Sequence, residues 1–417
     1  MSNRKTIALN TISQIIGKLL TSGTTFLISI LIARSLGASG YGDFTKVTTF
    51  VAFFYLFADF GLNSAYLELA DKKNAANVLL LLRTIMGLIL IFLCLSLLVF
   101  LPGDAFQGYT PFVKFGIILY SGSILLQSLI TTTNAFFQKH LRYDYSAYAL
   151  TTGSITTLLC IAAFPYLHIE GNLLMILCAF LLGTLVSIIT ALFFAKKIVP
   201  DLGFSGDLSL ARSMIILALP LGLTLLCNVV YFHADSVILT LTRSSAEVGI
   251  YGFAYKLFEF PLVIPTFFMN AVFPLLLVSK KSGDTRSFLR QMKQSAAILF
   301  SLSFVILLCG YIATPLLSLI KEEFSASALP FRILLCSLPI FYLTSVTMWT
   351  LVALKKRTIL LVIYLLSMIV NIGSNIFFVP TYGYVAAAWI TVGSELFVLL
   401  ASFLVIYQYF KLAESKN

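Results

Sequence analysis

QIIGKLLTSGTTFLISILIARSLGASGYGDFTKVTTFVAFFYLFAD, residues 14–59, decides how this chain is read. Two apolar runs are joined by a short glycine-containing turn; the first carries Lys18 and the second Asp59. A helix needs roughly 20 predominantly apolar residues to cross a bilayer, and each run supplies them. Both charges then fall deep in a span, where ionisable side chains are costly and face a bundle interior or a watery cavity.

The rest of the chain has the same character. Its 417 residues are 59% hydrophobic and 11% charged, with a mean hydropathy of +0.98. Soluble domains carry roughly 25% charged residues, so an all-α integral membrane protein is expected. Apolar stretches recur at 8–33, 44–68, 78–101, 112–138, 145–167, 172–195, 214–240, 252–278, 295–319, 329–354, 358–379 and 386–409, which reads as twelve transmembrane helices. The longest connections, near 196–213 and 279–294, are too short for a soluble catalytic head. The first run is too long and too interrupted by polar residues for a cleavable signal sequence, so it stays as a span.

A net charge of +11 points to nucleic acid in a soluble protein. Here the basic residues are spread over many short loops, as the positive-inside rule requires, and no nucleic-acid partner is expected. Arg34, Lys46, Lys114, Arg243, Lys321 and Arg332 fall at outer ends, Lys18 and Lys256 within spans, and the other twenty of the 28 on the side of the N-terminus. That bias predicts both termini in the cytoplasm and an even number of spans. The basic segment 286–295 reads equally as an interfacial helix or an ordinary loop.

A second copy of the opening pattern lies half a chain later. LIARSLGASGYGDFTK (31–46) compares with LTLTRSSAEVGIYGFAYK (239–256): Tyr41-Gly42 matches Tyr251-Gly252 and Lys46 matches Lys256, at an offset of 210. Six spans separate the copies, so they share one membrane orientation. This predicts a parallel repeat, with six-helix lobes at 1–200 and 201–417. In such transporters one bundle rocks against the other around a central site.

Polar stripes mark candidate pathway residues. Gln14, Lys18, Thr21 and Thr25 share one helix face, as do Thr224, Asn228, Tyr231 and Asp235; the 210 offset sets Lys18 on Asn228 and Thr25 on Asp235. Asp59 and Asn63 share a face of span two. Lys256 and Glu259, at i and i+3, either line a pathway or simply neutralise each other. Pro261 and Pro265 predict a kink after them. The candidate substrate-binding residues are therefore Lys18, Asp59, Asn228, Asp235, Lys256 and Glu259. Asn371, Ser374 and Asn375, and Thr131 to Asn134, read better as hydrogen-bonding glue between helices. Glu395, mid-span, is a proton site or a partner for a cation on another helix. His233 reads as packing in preference to proton carriage.

Familiar chemistry is missing from the sequence. The six cysteines are scattered through apolar runs with no CxxC pair, and the three histidines form no cluster; no metal, disulfide framework or cofactor is expected. There is no GxxxxGK[ST], HExxH or GxSxG. No enzyme is expected.

ARSLGASGYGDF (33–44), ADFGLNSA (58–65), DSVILTLTRSSAEVGIYGFAYKL (235–257), FPLLL (273–277) and VPTYGYVAAAWIT (379–391) together resemble the polysaccharide-repeat flippases of the multidrug/oligosaccharidyl-lipid/polysaccharide exporter superfamily. The resemblance implies a V-shaped pair of six-helix bundles in the bacterial inner membrane. It implies translocation of an undecaprenyl-diphosphate-linked oligosaccharide from the cytoplasmic to the periplasmic leaflet, for O-antigen or capsule assembly. Membrane lipids, a coupling proton or cation, and other polysaccharide-assembly proteins are the partners it implies. Relatives that flip the peptidoglycan precursor usually carry two further helices, which favours the polysaccharide branch. Three alternatives stay open: a multidrug or cation exporter of the same superfamily, a major-facilitator sugar transporter, and a membrane polymerase. Lys18, the short LADKKNAAN loop (69–77) and the short outer loops count against them respectively.

Overall fold

The structure, a computed structural model, describes residues 3–104, 107–164 and 172–414; the side chains of 3–16, 19, 220, 221, 223–232 and 412–414 lie outside it. The described residues are helical almost throughout and form no strand beyond two isolated bridges. The helices are α1 (Asn3–Asp59), α2 (Leu62–Leu69), α3 (Ala75–Leu97), α4 (Pro111–Tyr120), α5 (Gly122–Lys139), α6 (Tyr143–Ala163), α7 (Leu173–Ile198), α8 (Leu208–Thr242), α9 (Ser245–Glu259), α10 (Val263–Lys281), α11 (Thr285–Ala313), α12 (Leu317–Ile320), α13 (Ala328–Ala353) and α14 (Arg357–Glu414).

Nine helical stretches among the described residues are long and apolar enough to cross a membrane. Two of them are double. At 1.5 Å per residue a straight helix of 57 residues would measure roughly 85 Å, about twice a bilayer with its headgroups. The chain therefore has to turn back within α1, and it does so at Gly37 (φ 68°, ψ −175°), the one residue there without helical backbone angles. α14 is broken in the same way at Gly383 (φ 61°, ψ −146°). With α8, 35 residues long, this arrangement is consistent with the twelve spans expected. What reads as a multi-residue turn at 34–43 is a single-residue corner.

Other expectations meet their outcome here. Pro261 ends α9 in a 3-10 turn, Phe260–Leu262, before α10 begins. The basic segment 286–295 is neither a separate interfacial helix nor a loop. It forms the first turns of α11, capped by Asp284 Oδ1, which accepts from the Ser287 backbone at 2.9 Å. Thr110, Asn172 and Asp207 cap α4, α7 and α8 alike, meeting the orphan amides every helix start leaves.

The chain divides into two compact units. The first holds Met1–Val229 together with Ser244–Gly249. The second holds Val230–Arg243 and Ile250–Asn417. Two apolar clusters build the first unit. Leu62, Tyr66, Val78, Leu79, Phe136 and Phe137 belong to one; Val47, Val51, Phe54, Leu90, Cys94 and Ile117 belong to the other. On α3 they are separated by a stretch that contains Arg83. In the same unit α6 and α7 cross closely: a Cβ on Gly153 would meet the Gly183 carbonyl at 2.4 Å. Small residues at such a crossing let backbones approach, which is how helices associate where lipid gives no hydrophobic drive.

Candidate functional site

The polar centre of the first unit forms where α1 ends. Phe60 (φ 35°) and Gly61 (φ 77°) take left-handed backbone angles and break the helix. Asp59, on the last turn of α1, and Asn63, on the first of α2, thereby converge on one partner. That partner is Arg83 of α3, whose side chain is fully buried. Its Nη2 donates to Asp59 Oδ1 and to Asn63 Oδ1, both at 2.8 Å. Asp59 keeps 32% of its side chain exposed. The Arg83 Nε and Nη1 atoms are buried with no hydrogen-bond partner among the described residues.

Arg83 changes the reading of Asp59, which the sequence offers as a lone carboxylate. It also corrects the sidedness count, which places Arg83 with the cytoplasmic loops. α3 begins at Ala75, so Arg83 is two helical turns inside the helix, where Asp59 and Asn63 hold its charge. The signal was available: an arginine within NVLLLLRTIMGLILI (77–91) needs an acidic partner, and Asp59 needs a basic one.

Lys46 is corrected in the same sense. Counted as an outer-end residue, it is fully buried. Its Nζ donates to Gly108 O at 2.9 Å and to Ser245 Oγ at 2.8 Å, and Ser245 Oγ donates to Asp43 Oδ1 at 2.7 Å. The helix segments crossing here touch backbone to backbone: a Cβ on Gly42 would lie 1.7 Å from the Ser245 carbonyl oxygen, and one on Gly249 would lie 1.9 Å from that of Ala38.

Lys18 is exposed. Its neighbour Gly17 packs on Ala147, in the second turn of α6. The stripe hydroxyls bond within their own helix, Thr21 to Gly17 O and Thr25 to Thr21 O, both at 2.8 Å. Gln14, Thr224, Asn228 and Tyr231, like Cys227 and His168, lie outside the described side chains.

The second unit carries the other candidates separately. Asp235 is buried; the Tyr251 hydroxyl donates to its Oδ2, and the Ser236 backbone donates to its Oδ1 at 2.6 Å. Lys256 Nζ meets Glu259 Oε2 at 2.7 Å, with each side chain 42% exposed. The structure pairs these two. Asn371 Nδ2 donates to Ser394 Oγ at 3.0 Å, and Asn375 Nδ2 donates to Asn371 Oδ1 at 3.0 Å, so these residues tie the two arms of α14 together. In the first unit, Ser146 donates to Asn134 Oδ1 at 2.7 Å across α5 and α6. Glu395 is buried in the second arm of α14. An apolar groove of ≈360 Å³ beside Gly383 is lined by Phe378, Tyr382, Val385, Ala386, Trp389 and Ile390.

Outside the spans, Asp71 meets Lys139 at 2.6 Å, and that hydrogen bond holds its carboxyl below the ordinary value. The pair is water-exposed and contributes little to stability. No group of three potential metal ligands exists among the described residues.

Comparison with known proteins agrees with this architecture. The chain is similar in structure to a multidrug resistance MATE family transporter of the MOP superfamily in its inward-facing conformation (TM-score 0.76, 14% identity, covering 98% of this chain and 99% of that one). It is similar also to the lipid II flippase MurJ in an inward closed conformation (TM-score 0.77, 15% identity, 96% and 87%). A MOP superfamily transporter from Pyrococcus furiosus gives a TM-score of 0.65 at 14% identity, over 99% and 96%. No curated protein matches by sequence. These likenesses establish the fold: an all-α, multi-pass membrane protein built as MOP superfamily transporters are. The polysaccharide biosynthesis protein family model matches residues 7–280, well over half of the chain, and this protein is a member of that family.

Proposed function

We propose that the chain is a flippase for undecaprenyl-diphosphate-linked oligosaccharide repeat units. It carries them from the cytoplasmic to the periplasmic leaflet of the bacterial inner membrane for O-antigen or capsule assembly. Family membership sets the biosynthetic context, and the fold is one used by a lipid flippase and by exporters. The observation that carries the reading is basic charge placed within apolar helices, Arg83 fully buried in α3 and Lys256 half-exposed in α9, with Lys18 exposed on α1. A pathway supplied with such charge suits an anionic headgroup. Lobes 1–200 and 201–417 rock about a central site. Lys18 and Lys256 meet the diphosphate or acidic sugars, and Glu259 and Asn228 complete the contacts. Asp235, buried against Tyr251, is the candidate for a coupling proton, and transport is by antiport.

Deletion of the protein tests this. Single lipid-linked repeat units should accumulate on the inner leaflet. Accumulation on the outer leaflet would identify a polymerase instead. The second reading, a multidrug or cation exporter, is favoured by the TM-score of 0.76 to a multidrug transporter. It predicts that deletion sensitises cells to cationic dyes and leaves surface polysaccharide intact.

A further inference from the structure

Arg83 is built to hold more than it holds. A guanidinium offers five N–H donors in a planar fork, and here a single nitrogen, Nη2, makes both hydrogen bonds. Nε and Nη1 are buried with no acceptor among the described residues, an expensive state for a charged group inside a protein. The fully buried Arg83 is reached past the Asp59 carboxylate, which keeps 32% of its side chain exposed. That carboxylate binds through one oxygen, whereas the pairs arginine makes most strongly are bidentate. The break at Phe60 and Gly61 fixes this geometry. The Phe60 ring lies so close to Gly222 that a Cβ there would sit 2.6 Å from it, so the strained turn is held by packing as well as by charge.

We propose that Arg83 is an anion-binding residue kept in reserve by Asp59. The diphosphate or carboxylate of the cargo binds by taking the place of the Asp59 carboxylate on the guanidinium. Asp59 is then an internal competitor that weakens binding, where the sequence alone presents it as a direct contact to the cargo. Arginine suits this exchange better than lysine because a two-oxygen anion matches its fork. Asn63 bonds the same Nη2 and holds the guanidinium in place while the anions exchange. The identity of the anion rests on the flippase reading; the exchange itself does not.

The test uses the full chain in nanodiscs of neutral lipid, with inorganic pyrophosphate and a polyprenyl diphosphate as probes and the polyprenyl alcohol as control. Asp59→Asn should tighten binding of both phosphorylated probes by about fivefold, and Arg83→Gln should weaken it by about tenfold or more. The double variant should match Arg83→Gln. A salt bridge that serves only to hold the fold moves both single variants the same way, and that result, or unchanged affinity in both, overturns the proposal. Should Arg83→Gln not fold, Arg83→Lys keeps the charge without the fork and should still lose affinity; full affinity in a folded Arg83→Lys protein also overturns it. Phosphatidylglycerol titrated into the same discs is the remaining arm. If it alone gives the opposite-sign response, the site binds a bilayer headgroup and the cargo assignment falls. The opposite-sign response to pyrophosphate in a protein that flips nothing would overturn the flippase reading and leave this one standing.

Discussion

The Arg83–Asp59 pair takes a fully buried charge out of water. Breaking a fully buried pair by removing one partner costs about 3–5 kcal/mol. Asp59 retains some water, so Asp59→Ala should cost less, about 2–3 kcal/mol, read as a lowered melting temperature in detergent. Asp59→Asn, which keeps an acceptor oxygen, should melt closer to the parent protein. Asp235→Asn should alter the pH dependence of transport, and an unchanged profile would remove Asp235 as the proton site. At this scale the sequence was half legible. Asp59, Lys256 and Glu259 stand out because charge is rare in apolar runs, and Lys256 does meet Glu259, three residues on. Lys46 was hidden, and Arg83 was counted with the loops although its apolar surroundings marked it. Each lies within a few turns of a loop, where counting by sequence position takes a basic residue for a headgroup anchor. Only tertiary packing reveals that Gly108 and Ser245 enclose the lysine.

Elements are decided by where helices bend. Gly37 combines a positive φ with an extended ψ, a conformation essentially reserved for glycine. Gly37→Ala should therefore destabilise by about 1–3 kcal/mol, measured by thermal unfolding of the purified protein. Gly42→Ala acts differently, through a clash with the Ser245 carbonyl that no rotamer relieves, because a Cβ has none. It should lower the yield of folded protein, whereas Gly23→Ala, with open space around it, should be neutral or mildly stabilising. The glycine-rich SLGASGYG segment announced a turn to sequence reading. It did not announce that one residue makes the turn, because helix hydrogen bonds resume within the same segment. Proline was more explicit: Pro261 marked the end of α9.

For the whole chain, the side of each loop follows from its order. Counting spans from the N-terminus, segments near 46, 108 and 245 fall on one face, and the structure brings them together on Lys46. Segments near 77 and 201–203 fall on the other face, and Asn77 bonds Asp201 O at 3.1 Å and the Gly203 amide at 2.9 Å. Contacts therefore join loops of the same parity, which argues for the alternation without reference to charge. With both termini in the cytoplasm, Ser318→Cys should react with an impermeant maleimide in intact cells, and Ser282→Cys only after lysis. The reverse pattern would invert the topology. Fold class was the most legible property, since composition and run length fix it within a bilayer. The partners of each buried charge were the least.

The corner at Gly37 also bears on how the protein is made. A one-residue turn leaves no hydrophilic loop to be carried across the bilayer between the two arms of α1. Entry of the two arms together as one hairpin would confine the work of translocation to the polar groups around 34–46. The Gly383 corner gives the same economy to the two arms of α14.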